Sequence, residues 1–397
     1  MDPIERPILP AMLDMLVLSR LRWDSVYQRA HHLMSRCARR RRVFFCEEPV
    51  VHDDRGFTPW LVVSPRERNL WVCAPQLPAG LAQAEAEQVQ RRLLDRLLAE
   101  HQLRRFAAWY DTPMPLGFTR HLRPAVTVYD CMDELSAVAG ASPLVPERER
   151  ELFTRADLVF TGGESLWEAK RAQHSRVHAV PSGADASHFG RARAGAGPRL
   201  AAPADQADIA APRLGYFGVI DERMDLALLA GLADARPDWQ IVMVGPVARI
   251  DPASLPRRAN IHYLGAKDYQ DLPAYIAGWD VALMPFARTA ATRFISPTKI
   301  PEYLAAGKPV VSTAIHDVVE PYGNLGLVAI ADGVEAHVAA IAEALARGDR
   351  DRWLADVDVV LAGRSWDATW ERMQQLIAGV VRVPSVRVGT ARAQAGV

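Results

Sequence analysis

Short apolar runs alternate with helical segments along nearly the whole chain, and this alternation limits the fold more than any other feature. The runs are MLDMLVLS, VFFC, LWVCAP, FAAWY, AVTVY, DLVFT and VHAVP in the first half, and RLGYFG, QIVMVG, NIHYLG, DVALMP, KPVVST and LGLVAI in the second. Each has the length of a strand, and segments such as AQAEAEQVQRRLLDRLLAEHQ between them have helical character. Strands joined by helix-length crossovers build parallel sheets, because a tight hairpin can join only antiparallel neighbours. At 397 residues the chain exceeds one ordinary core and divides into two domains. Residues 191–212 are rich in Ala, Gly and Pro and lack periodicity, as a linker does. The expectation is therefore an α/β chain with two Rossmann-like, doubly wound domains, 1–190 and 213–364. The linker 191–212 joins them, a helix at 365–381 packs back toward the N-terminal domain, and 382–397 forms a flexible tail. Ligands of such sheets bind at the carboxyl ends of the strands, so the site is expected in an interdomain cleft.

Composition narrows the function. Lys plus Arg and Asp plus Glu stand at 47 each, which gives no basic surface for nucleic acid. The longest apolar stretches fall short of the roughly 18 residues that a membrane span needs. The start, MDPIERPILPA, does not resemble a signal peptide. Cys37, Cys46, Cys73 and Cys131 lack metal-like spacing and read as reduced core thiols. Together these features point to a cytoplasmic protein.

The stretch SPTKIPEYLAAGKPVVST, residues 296–313, carries the clearest chemistry. Only four lysines, Lys170, Lys267, Lys299 and Lys308, occur among the 47 basic residues, and two of them lie here. With Thr298 as N-cap, Pro301 falls at the third helical position, where its missing N–H costs little. Gly307 is placed to end the helix in the left-handed region, with Pro309 beyond it. Lys299 then sits in the first turn, where the helix dipole disfavours a cation, and a bound anion would remove the conflict. Glu302, three residues on, shares that helix face and meets either ribose hydroxyls or Lys299 itself. After RLGYFG, Gly218 permits close backbone approach. Arg223 at the start of the next helix meets either a phosphate or a neighbouring Asp221 or Asp225. Gly245-Pro246, closing QIVMVG, forms either a backbone platform for a flat ring or an ordinary turn.

In the first half, AVTVY runs into DCMDEL, which places Asp130, Asp133 and Glu134 at the cleft, where a carboxylate can deprotonate an acceptor hydroxyl. His31 and His32 are adjacent on a helix and diverge by about 100°, so they do not form a metal pair. Arg39-Arg40-Arg41-Arg42 either touches anionic lipid headgroups or complements a helix C-terminus. The DxD-like strings at 349–351 and 356–358 lie away from the strand ends, and no metal is expected. No GxGxxG follows a strand, and neither GxSxG nor a P-loop occurs.

These residues resemble a known family. SPTKIPEYLAAGKPVVST, YFGVIDERMDLALL, PSGADASHF, ADLVFTGGESLWEAK and DLPAYIAGWDVALMPF are similar, in order, to segments of the GT-B glycosyltransferases of family 4 (group 1). The resemblance implies that Glu302 corresponds to the second glutamate of the family's paired-glutamate motif, which holds the donor ribose. It likewise implies that Arg223 meets the donor diphosphate. Phe294 stands where the family has its first glutamate, and Val219 where an arginine commonly follows the glycine. The Ser296–Lys299 spacing also resembles that of the xanthan glucuronosyltransferase, whose lysine lies at the nucleotide site. RLRWDSVYQRAHHLMSR is similar to a WxxxxQR-type loop in a subgroup of these enzymes, so Trp23, Gln28 and Arg29 meet donor phosphate or acceptor sugar, or else form a helix cap with a packing Trp.

The resemblance implies a metal-independent, hexosyltransferase-type enzyme of class EC 2.4 that needs no cofactor. It would move a sugar from a nucleotide diphosphate sugar to a carbohydrate or lipid-linked acceptor in cell-surface or exopolysaccharide synthesis. Peripheral contact with the inner face of the membrane would suit such an acceptor. The donor set would be Gly218, Arg223, Gly245, Ser296, Thr298, Lys299 and Glu302, and the catalytic acids Asp130 and Asp133. A nucleotide-sugar 2-epimerase of the same fold and a non-catalytic nucleotide-sugar binding subunit are the alternatives.

Overall fold

The computed structural model describes residues 13–138, 140–193 and 200–381. The tail expected at 382–397 and part of the expected linker lie outside the described residues. The N-terminal sheet contains β1 (Asp14–Leu18), β2 (Val43–Cys46), β3 (Val50–His52), β4 (Trp60–Glu67), β5 (Leu70–Pro78), β6 (Phe106–Tyr110), β7 (Val126–Cys131), β8 (Leu158–Thr161) and β9 (Val177–Ala179). Its order is β3-β5-β2-β1-β6-β7-β8-β9, and all neighbours along that path are parallel. β4 lies antiparallel on β5.

The hairpin of β4 and β5 departs from the expected all-parallel pattern. Glu67 pairs with Leu70 across a two-residue turn in which Asn69 adopts φ 65°, a conformation that asparagine tolerates. Pro65 interrupts the run WLVVSPRE, and half of this strand is exposed. An edge position accepts both features, and the proline disguises the strand in the sequence.

The second sheet contains β10 (Arg213–Phe217), β11 (Gln240–Val244), β12 (Ile261–Gly265), β13 (Val281–Met284), β14 (Val310–Ser312) and β15 (Val328–Ile330). All six correspond to the apolar runs of the second half, and all pair in parallel in the order β12-β11-β10-β13-β14-β15. Such strands are covered on both faces, which explains why they read as continuous apolar runs. The strand order reverses direction between β1 and β6 in one sheet and between β10 and β13 in the other. These switch points are where the carboxyl ends of the strands leave a crevice.

The chain crosses back near its end. Ser365 caps the helix Trp366–Val380, accepting from the Ala368 N–H at 3.1 Å. Trp366, Trp370, Met373 and Ile377 bury themselves in the N-terminal core with Leu33, Met34, Trp109 and Phe160. The outward and return segments touch at Ala184, whose N–H donates to the Arg364 carbonyl at 2.7 Å. The arginine run helps hold this helix. Arg39 joins Arg36 on Asp367, Arg41 donates to Gln374, and Arg42 pairs with Asp14. Three of the four arginines of that run are therefore engaged within the chain, a structural use that the membrane expectation did not include. No helix among the described residues is long and apolar enough to cross a membrane.

Candidate active site

A cavity of about 650 Å³ lies between the carboxyl edges of the two sheets. On its C-terminal side, β10 ends in Gly218 at φ 130° and β11 in Gly245 at φ 147°. A Cβ on Gly245 would stand 1.9 Å from the Gly218 carbonyl oxygen, and one on Gly218 would stand 2.2 Å from Lys299 Cε. Both conformation and space require glycine here, and Gly218 lets the Lys299 stem lie directly on backbone.

The helix Lys299–Ala305 begins where the sequence places it, with Thr298 as N-cap, Pro301 at the third position and Gly307 left-handed at φ 70°. The Thr298 side chain makes no capping bond, so it is left to face the cleft together with Ser296. Lys299 Nζ makes no hydrogen bond or ion pair with any described residue; it lies 5.7 Å from the Tyr216 ring centroid. Burial, reinforced by the Arg223 charge, pushes the ammonium down to about 8. The conflict expected from the helix dipole is thus mainly one of desolvation, since this helix is only seven residues long.

Glu302 is 5% exposed and forms no ion pair with Lys299, so the internal salt bridge considered from the sequence is absent. Burial raises its carboxyl to about 8, with Lys299 opposing the rise. Nearby, the Tyr269 hydroxyl is buried without a partner, and its pKa is raised by burial and then by the Glu302 charge. Tyr269 also ties the domains together, with ring centroids 4.7 Å from Tyr27 and 4.5 Å from His188.

Arg223 lies in the turn ahead of the helix Leu226–Ala235, whose N-cap is Asp225, and not on the helix itself as expected. Its guanidinium is bidentate to Asp221, with Nε–Oδ1 at 2.9 Å and Nη2–Oδ2 at 2.7 Å. Burial works against the guanidinium, but the bonds to Asp221 outweigh it and its pKa is raised. Asp221 also accepts from Arg249. Of the two sequence readings, the Asp221 pair is present, while Arg223 still lines the cleft.

The N-terminal wall carries the acids. Asp130, at the end of β7, is bidentate to Arg29 through Nε and Nη2 at 3.1 and 3.0 Å, and Arg29 also donates to the Val180 carbonyl at 2.8 Å. Both side chains are almost fully buried, at 6% and 5% exposure. Asp133 pairs with Arg20, and both remain 29% exposed. Glu134 instead turns to buried Lys170, which also holds Glu149, each at 2.8 Å. Gln28 and Arg29 line the cleft. Trp23 does not join them: its ring is buried, 4.6 Å from His31 and 5.0 Å from Phe45 by centroids. His31 Nδ1 accepts from the Gln28 N–H, and its Nε2 donates to the Trp23 carbonyl at 2.7 Å. Of the proposed loop residues, Trp23 therefore has the packing place.

Asp111, one residue beyond β6, was missed. It accepts from Ser19 Oγ at 2.5 Å and from the Arg20 N–H at 2.9 Å. Burial raises it to about 6 against those bonds. The rule that picked Asp130, an acid directly following an apolar strand run, applies equally to FAAWYD.

Residues 211–347 match the family model described as glycosyl transferases group 1. A Bacillus subtilis (strain 168) protein, TuaH, named for glycosyl transfer in teichuronic acid biosynthesis, is 30% identical over 239 residues, 56% of this chain and 59% of TuaH. The match thus spans less than two thirds of that relative. Among solved structures, a sucrose-phosphate synthase from Thermosynechococcus elongatus superposes with a TM-score of 0.68 at 15% identity, over 93% of this chain and 99% of its own. An E. coli trehalose-6-phosphate protein bound with UDP-2-fluoro glucose gives 0.68 at 14%, over 93% and 100%. At such identities the likeness is one of fold. The chain has the GT-B fold, and the resemblance to group 1 glycosyltransferases drawn from SPTKIPEYLAAG and its companions is borne out.

Proposed function

We propose that this chain is a glycosyltransferase that moves a hexosyl group from a nucleotide diphosphate sugar to a carbohydrate or lipid-linked acceptor in cell-surface polysaccharide synthesis. The observation that carries the reading is Lys299, an ammonium held against glycine backbone in the cleft, with no carboxylate within 4.0 Å among the described residues and a second cation near enough to disfavour it. Folding gains little from a desolvated charge that no carboxylate pairs directly. A diphosphate would supply the missing partner.

In this reading Lys299 and Arg223 meet the diphosphate as negative charge grows on it during departure, which is stabilisation of a developing charge by preorganised groups. The charge a metal would otherwise meet is then carried by these two side chains. Glu302 accepts from ribose hydroxyls, and Ser296, Thr298, Gly218 and Gly245 shape the donor pocket. Asp133 takes the acceptor proton, because it is partly open to the cleft while Asp130 is committed to Arg29. Gln28 and Arg29 border the acceptor side.

A thermal-shift panel of nucleosides, nucleoside diphosphates and nucleotide sugars tests this. A ligand bound only by the folded state at 100 times its Kd stabilises by about 2.7 kcal/mol. The expected result is stabilisation by at least one nucleoside diphosphate and little by its nucleoside; no stabilisation by any diphosphate refutes the proposal.

A further inference from the structure

A second cavity, of about 680 Å³, lies mainly within the N-terminal domain, with Arg249 of the C-terminal domain at its border. It sits over the carboxyl ends of β1 and β2 and beside the helix Gln83–Glu100, with Leu18, Leu77, Leu93, Leu94, Leu97 and Phe118 among its walls. The buried charge beside it is paired: Arg148 donates to Glu87 at 2.5 Å and to the Met114 carbonyl at 2.6 Å. The space opens to solvent at Val51 and Glu48, and its size and mainly apolar walls are those of a ligand pocket. Thr112, just beyond β6, lines it together with Leu18 of β1. The chamber therefore stands at the switch point of this sheet.

The chamber adjoins the interdomain cleft, and Arg20, Val138 and Arg249 line both. Arg20 is also the partner of Asp133. A molecule whose hydroxyl reaches Asp133 therefore has the rest of its length directed past Arg20 toward an apolar chamber. We propose that this chamber receives the hydrocarbon portion of an amphiphilic acceptor, leaving the sugar-accepting hydroxyl in the cleft. The inference rests on the transferase reading above. Straight acyl and branched prenyl chains share the required chemistry.

The test is calorimetric titration of the full chain with methyl, butyl and octyl β-glucosides and geranyl β-glucoside, all kept below micelle formation. Each buried methylene should tighten binding by about fourfold until the chamber fills, so octyl should exceed butyl by at least tenfold. The relative affinity of the octyl and geranyl compounds then distinguishes straight from branched chains. Ala86→Phe and, separately, Gln90→Phe, both of which fill the chamber from the helix Gln83–Glu100, should abolish the chain-length dependence while nucleoside diphosphate binding persists. If the series is flat, or unchanged in both variants, with nucleoside diphosphate binding intact, the chamber assignment is overturned and the transferase reading stands. Loss of all nucleoside diphosphate binding by the wild-type chain would overturn the reading on which it rests.

Discussion

Lys299→Ala separates a ligand-binding cation from a structural one by the sign of its effect on the empty protein. Burial pushes the ammonium from a usual 10.5 down to about 8, a displacement that sets an upper limit of about 3.4 kcal/mol on what its charge costs the fold near neutral pH. Solvent in the open cleft lowers that figure, and the contact with the Tyr216 ring returns about 0.5–1 kcal/mol. Truncation should therefore leave the empty protein as stable as wild type or more stable by about 1 kcal/mol. Nucleoside diphosphate affinity should instead fall by about 1.5–3 kcal/mol, the range for a hydrogen bond to a charged group, or roughly 10- to 150-fold. Urea denaturation of the empty proteins measures the first quantity and calorimetric titration the second. If the variant is destabilised when empty and binds diphosphate normally, Lys299 is a packing residue and the phosphate reading fails.

Glu302→Gln should weaken nucleoside and nucleoside diphosphate by similar factors, since its proposed partner is ribose; a loss confined to the diphosphate would show that the carboxylate acts through Lys299. The same substitution carries a pH signature. The folded chain keeps the Glu302 proton up to about pH 8 while the unfolded chain loses it near 4.5, so wild-type stability should fall relative to the variant as pH rises through that window, by no more than about 1.4 kcal/mol per unit; parallel profiles would place the carboxylate in water. Asp130→Asn should cost about 3–5 kcal/mol of stability by leaving Arg29 buried and unpaired. Asp133→Asn should cost under about 1 kcal/mol yet reduce turnover at least a hundredfold, and full activity would remove Asp133 as the base. Gly163→Ala should hold the domains apart, because a Cβ there would stand 1.7 Å from Asp317 Oδ2 of the C-terminal domain. Scattering should show a larger radius of gyration, and an unchanged radius would mean that this contact yields without domain movement.

What the sequence revealed of the fold follows the strength of its periodic signal. All six strands of the C-terminal sheet and seven of the N-terminal one were visible, because each lies within a short apolar run of its sheet and most are buried on both faces. β3 and β4 were not. β3 is a short, partly exposed strand at the end of the sheet, and β4 is an exposed edge interrupted by Pro65, so neither stands out as a buried apolar run. The boundaries of the helix Lys299–Ala305 were legible to the residue because Pro301 and Gly307 act through local backbone geometry alone.

The site was legible in position and only partly in partnership, for a physical reason. Strand-end placement depends on local sequence, so Gly218, Gly245, Lys299, Glu302, Asp130 and Asp133 could all be assigned to the cleft, and they line it. Which charges neutralise one another depends on contacts between distant segments. Arg29 and Asp130 are 101 residues apart, and Arg20 and Asp133 are 113 apart. No spacing rule connects them, whereas Lys299 and Glu302, three apart and eligible for a helical pair, do not join. The outcome divides the cleft into two electrostatic halves. Asp130 and Asp133 of the N-terminal wall are held by Arg29 and Arg20 of the same wall, which fixes their orientation before any ligand arrives. On the C-terminal wall, Lys299 and Glu302 are desolvated without hydrogen-bonded partners, each displaced toward its neutral form. Such a pair is costly to keep in an empty protein. The cost is reduced only when groups of the right sign and shape enter, so the interactions missing from the empty cleft describe its ligand: an anion beside Lys299 and hydroxyl donors beside Glu302.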